Sequence, residues 1–73
     1  MSASNLAWQA TAGAKRRTGR QLELHERTMD GRPEFWIRER VSEFESPVDL
    51  TGWLTLSGVV SFLGALGARE VVE

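Results

Sequence analysis

The side chains best suited to chemistry gather in one stretch, "LHERTMDGRPEFWIRERV", from Leu24 to Val41. It holds the chain's single histidine, His25, together with Arg27, Phe35, Trp36, Arg38 and Arg40. Nucleophilic catalysis needs a nucleophile, a base and a group that orients the base. His25 is the one distinctive base, and there is no Cys to serve as nucleophile. Ser and Thr fall in predicted loops and caps. The carboxylates of Glu23, Glu26, Glu39, Glu43 and Glu45 read as solvated, with nothing to set their proton affinities apart as acid–base work requires. With no Cys, one His does not make a zinc site without several carboxylates beside it, and no glycine-rich loop opens a helix to cradle phosphate. The sequence therefore predicts a protein that is not an enzyme and holds no cofactor or metal.

Binding chemistry is better represented. "KRRTGR" places Lys15, Arg16, Arg17 and Arg20 in six residues, and residues 1–20 carry no acid, so that arm is +4. Residues 21–73 carry five Arg against ten Asp and Glu, which leaves −5 and gives the chain its net −1. Such asymmetry marks a basic arm for an acidic partner, an arm kept soluble by its charge, or one that folds against its own acidic body. Trp8 and Trp36 offer rings for stacking on bases, but a body at −5 repels phosphate. Nucleic acid is thus an alternative partner that only the arm would reach. The other candidate surface lies on one side of a predicted hairpin and holds His25, Arg27, Trp36, Arg38 and Arg40. Trp and Arg are enriched where binding energy concentrates. The plainer reading is that Trp36 covers His25 and the arginine stems, or lies beneath the arm.

These side chains need elements to hold them. Residues 21–28 and 34–41 alternate polar and apolar with a period of two, as half-buried antiparallel strands do. Asp30-Gly31 supplies the positive φ angles of a two-residue type I′ turn. In that register Leu24 faces Ile37, Glu23 faces Arg38, His25 faces Trp36 and Arg27 faces Glu34, so apolar meets apolar and opposite charges meet twice. A four-residue loop, 30–33, keeps the same faces. Ser46-Pro47-Val48-Asp49 resembles a helical start, cut short by Thr51-Gly52. A third short strand is expected near 53–56. Leu56, Val59, Val60, Leu63 and Leu66 form a helical stripe, capped by Thr55 or Ser57 and stopped at Gly67, which predicts a helix over about 57–66. Its uncharged surroundings, Trp53 to Ala68, are too short to span a bilayer. The N-terminal basic residues come after the mildly apolar part, the reverse of a secretory signal.

The fold class expected is α+β: a small antiparallel sheet with one C-terminal helix packed on it, behind a flexible arm. Residues 1–20 form the arm and 21–73 a single domain with a frayed end. Ser4 is expected to cap at most a short helix through Ala12, since Gly13 and Gly19 argue against a longer continuous element. The predicted core is Leu22, Leu24, Phe35, Ile37, Val41, Val60, Leu63 and Leu66.

A short chain with a loose basic arm, a hairpin turned by Asp-Gly and one helix resembles the small host-takeover proteins of bacteriophages, among them the RNA polymerase inhibitors of Xanthomonas phages. The resemblance covers the whole chain in size and layout and transfers no site residue. It implies a monomeric protein in the host bacterial cytoplasm that binds the largest subunit of RNA polymerase, blocks promoter use and alters termination.

Overall fold

A computed structural model describes residues 2–70, with the side chains of residues 69 and 70 excepted. In chain order it contains α1 (Ala3–Thr18), β1 (Leu22–Met29), β2 (Arg32–Glu39), β3 (Val48–Asp49) and α2 (Leu56–Glu70). The strands form one antiparallel sheet in the order β1-β2-β3. The molecule is an α+β domain with a C-terminal helix on the sheet, as expected, and with a second helix besides.

The hairpin obeys the turn chemistry. Asp30 and Gly31 adopt φ of 52° and 76°, the left-handed angles that a type I′ loop requires. The pairs Leu24–Ile37, His25–Trp36, Glu23–Arg38 and Arg27–Glu34 all form. The strands run 22–29 and 32–39 rather than 21–28 and 34–41, because the loop has two residues and Met29 pairs with Arg32.

β2's outer margin is closed by residues 48–54. Arg38 pairs with Asp49, and Phe35 exchanges backbone hydrogen bonds of 2.8 and 2.7 Å with Leu54. Between these pairs β2 advances three residues and the other segment five, so two residues bulge out. Thr51 repairs the gap: its hydroxyl accepts the Ile37 N–H at 3.1 Å. The third strand thus lies at 48–49, with only an isolated bridge at Leu54 near the expected 53–56. Val48-Asp49 is extended where the sequence suggested a helical turn. Pairing to β2 outweighs that local capping pattern.

Residues 1–20 depart most from expectation, because 3–18 form a helix instead of a flexible arm. Ser2 is the cap, accepting the Asn5 N–H at 3.1 Å. Ser4 lies inside the helix, and its hydroxyl donates to Glu26 at 2.8 Å. Five alanines support the helix intrinsically. Gly19, at φ 72°, ends it in the left-handed conformation, and its N–H bonds the Lys15 carbonyl. The buried stripe is Ala7, Thr11 and Ala14, at helical spacing but made of small residues. Thr11 satisfies its own hydroxyl on the Ala7 carbonyl at 2.8 Å. Small side chains let α1 lie close to α2. A Cβ at Gly67 of α2 would come within 2.9 Å of the Arg17 guanidinium.

α2 starts one residue before the predicted span, with Thr55 capping through the Gly58 N–H at 3.2 Å. It passes through Gly67 to residue 70, since packing against α1 there outweighs glycine's tendency to stop a helix. Residues 71–73, expected to fray, lie outside the described residues. Both helices cover one face of the sheet. Ala7, Ala14, Leu22, Leu24, Phe35, Ile37, Val59, Leu63 and Leu66 form the core. Val41 and Val60, expected in the core, are exposed instead, at 63% and 47%. The sheet ends before Val41, and α2 is rotated so that Val59, Leu63 and Leu66 carry the contact. No described helix is long and apolar enough to cross a membrane.

Candidate functional surfaces

The face of the sheet turned away from the helices holds the Trp and Arg residues of the hairpin, and the charges of Arg27, Arg38 and Arg40 are answered locally, while Arg32 beside the turn forms no ion pair among the described residues. Arg27 contacts Glu34 at 2.8 Å, Arg38 contacts Asp49 at 2.7 Å and Arg40 contacts Glu23 at 3.0 Å. The first two pairs arise from the register, which sets Arg27 opposite Glu34 and Arg38 opposite Asp49. His25 Nε2 lies 3.6 Å from Glu23. The hydrogen bond from Arg40, with its positive charge and the neighbouring His25, holds the Glu23 carboxyl below its usual pKa of 4.5, although desolvation pulls the other way more strongly than either of the last two alone.

Trp36 is half-buried. Its indole N–H donates to Asp49 at 3.0 Å, and its ring meets Trp53 edge-on at 5.2 Å and 78°. The Arg27 guanidinium sits 4.3 Å over the Trp53 ring. The bulge before Leu54 delivers Trp53 to this position, so Trp36 is covered by the 48–54 segment and not by the N-terminal residues. A shallow cleft of about 230 Å³ remains between His25, Trp36, Arg38, Asp49 and Trp53. The sequence named five residues of this face and the structure brings them together. It also shows them engaged already, with Glu23, Glu34, Asp49 and Trp53.

The basic cluster behaves differently. Arg20 is bound to Glu39 at 3.0 Å. Lys15, Arg16 and Arg17 are exposed on the last turns of α1, and among the described residues none of the three forms an ion pair. Their position is favourable for the helix, whose C-terminal end attracts positive charge. Trp8, Ala12, Lys15 and Arg16 fall at spacings of 0, 4, 7 and 8, so they share one outward face. Trp8 is 52% exposed. Beside this face a groove of about 310 Å³ runs between α1 and β1, lined by Trp8, Thr11, Ala12, Lys15 and residues 22–25.

A third surface was not foreseen. Phe44 stands 91% exposed between Glu43 and Glu45, in a loop tied by the Phe44 N–H to the Ser42 hydroxyl at 3.1 Å. Its signal was an aromatic with acidic neighbours in a segment with no period. Among the described residues no cluster of three His, Cys, Asp or Glu is placed to hold a metal.

No protein-family model matches the chain, and no match was found among curated proteins or solved structures. The geometry therefore defines a class only: a small α+β domain with one self-neutralised face and one unneutralised helix.

Proposed function

We propose that this chain is a non-catalytic binding protein that acts by occupying another protein's surface, and that it uses the outward face of α1 to do so. The observation that carries this reading is the contrast in charge pairing. Arg20, Arg27, Arg38 and Arg40 are matched by the fold itself. Lys15, Arg16 and Arg17 have no ion pair among the described residues, and Lys15 and Arg16 share their helix face with an exposed Trp8. Unmatched cations next to an aromatic suit an acidic partner, which they attract before contact and grip after it.

The partner we propose is the largest subunit of bacterial RNA polymerase, and the effect is inhibition of promoter use and altered termination in a phage-infected cell. This part rests on the resemblance in size and layout. Immobilised protein is expected to retain purified bacterial RNA polymerase and to lower promoter-dependent transcripts in a reconstituted reaction. Normal transcript yield with no polymerase retained would defeat it.

The same three cations carry a second reading, nucleic-acid binding through α1. It predicts a mobility shift with duplex DNA or RNA in low salt that fades steeply as salt rises. Absence of any shift in low salt would remove it.

A further inference from the structure

We infer that the groove between α1 and β1 is a slot for one apolar side chain of a partner protein, presented on an extended segment that carries acidic residues beside it. The inference rests on the binding reading above and gives that site its partner chemistry.

The slot's floor and walls are largely apolar: Leu22 and Leu24 from β1, with Ala12 and Trp8 from α1. Its volume of about 310 Å³ sits at the lower limit of the roughly 300–1,000 Å³ typical of ligand sites. That is room for a single side chain and too little for most cofactors. Leu22 and Leu24 are only 3% and 6% exposed. β1 is the outer strand of the sheet, so a visiting segment approaches the slot along that strand's margin, where an extended chain lies most easily.

Charge decides what flanks that side chain. Three titratable side chains line the slot, Lys15, Glu23 and His25. Glu23 is already held by Arg40 at 3.0 Å, so its charge is answered. Lys15 is unpaired among the described residues, and Arg16 lies one helical position further along the same face. A partner carboxylate can meet Lys15 without breaking any existing pair, whereas a partner cation would face repulsion. Trp8 at the rim supplies a flat surface over which an apolar side chain loses water, the usual role of Trp at a binding centre.

The test uses the full chain and three labelled synthetic peptides: one with a central Phe between pairs of Glu, one with that Phe replaced by Ser, and one with the Glu replaced by Lys. Fluorescence polarisation reads affinity, and amide shifts map the site. The Phe–Glu peptide is expected to bind, with shifts centred on Trp8, Ala12, Lys15 and Leu24. Its affinity should fall about tenfold with the Ser peptide and about tenfold in the Lys15→Glu variant. Arg32→Glu, on the distant hairpin turn, should leave it unchanged.

Equal binding of the Phe and Ser peptides would reduce the slot to a charge patch and overturn the inference. So would shifts centred elsewhere, or no binding of any peptide in low salt. Duplex DNA that competes at the same residues would assign the surface to nucleic acid instead. Concentration-dependent self-association abolished by Phe44→Ala would assign the slot to the Glu43-Phe44-Glu45 loop of a second copy. The polymerase reading fails separately. If the peptide binds as described and polymerase is not retained, the slot stands and the partner falls. If polymerase is retained equally by wild type and Lys15→Glu and no peptide binds, the slot falls and the partner stands.

Discussion

The two faces of the sheet are built on the same strands and stabilised by different physics. The covered face is dry: Phe35 and Ile37 are fully buried beneath the helices. The open face is a lattice of charge pairs and rings in contact with water. Burial stabilises by about 1.5–3 kcal/mol for each large apolar side chain fully removed from solvent. An exposed ion pair contributes about 0–1 kcal/mol, because water competes for both partners. One face therefore sets whether the chain folds. The other sets what it presents once folded, and it presents little free charge.

The sharpest way to break the comparison is Phe35→Ala. A buried Phe truncated to Ala costs about 3–5 kcal/mol. A 73-residue chain has on the order of 4–11 kcal/mol to lose, at the usual 0.05–0.15 per residue. Urea denaturation should show loss of a large part, or all, of the folded population. Trp53→Ala tests the open face at its strongest point. It removes the edge-on contact with Trp36 and the seat of Arg27, and the expected loss is about 1–2 kcal/mol. A loss as large as that of Phe35→Ala would mean the open face is a second core.

Gly67→Ala probes the seam between the helices. The added methyl meets only the end of the Arg17 side chain, which can swing aside, while Ala gains up to about 1 kcal/mol in helix propensity over Gly. The thermal midpoint should rise slightly; a fall would show that Arg17 is held in place. The smallest effect belongs to Glu23. Its pKa in the folded chain lies below the usual 4.5, so its contribution is fully present above that value. It is lost as pH falls through the lowered folded value. Glu23→Gln should flatten that part of the acid-unfolding profile, read by denaturant midpoints from neutral to acid pH, and leave the neutral end nearly unchanged.

Much of this was legible in the sequence where local chemistry and global pairing agree. Asp30-Gly31 set a register in which Leu24 meets Ile37 and Arg27 meets Glu34, and Thr55, one of the two caps expected, starts α2. α1 was hidden for a physical reason. Its buried stripe is Ala, Thr and Ala, which a search for large apolar residues at helical spacing does not register. Gly13, which argues for a break, is tolerated inside the helix. The bulge at 50–53 depends on a side-chain hydroxyl replacing a backbone group, and no periodicity announces it. The candidate site was partly legible for the same reason. The residue types and the Arg27–Glu34 pair were visible, but that Asp49 answers Arg38 and Glu23 answers Arg40 depends on where the 48–54 segment and the end of β2 come to lie.

The cover that α1 places over the inner face of β1 bears on how the chain survives its own synthesis. Leu22 and Leu24, nearly fully buried in the folded chain, are apolar surface that invites aggregation while it is bare. The helix that covers them precedes them in the sequence, so on the ribosome it emerges first. Helices of this length form in about a microsecond or less, and hairpins take about 1–10 microseconds. Translation order and folding speed thus work in the same direction: the helix is at hand when the strand's leucines need covering.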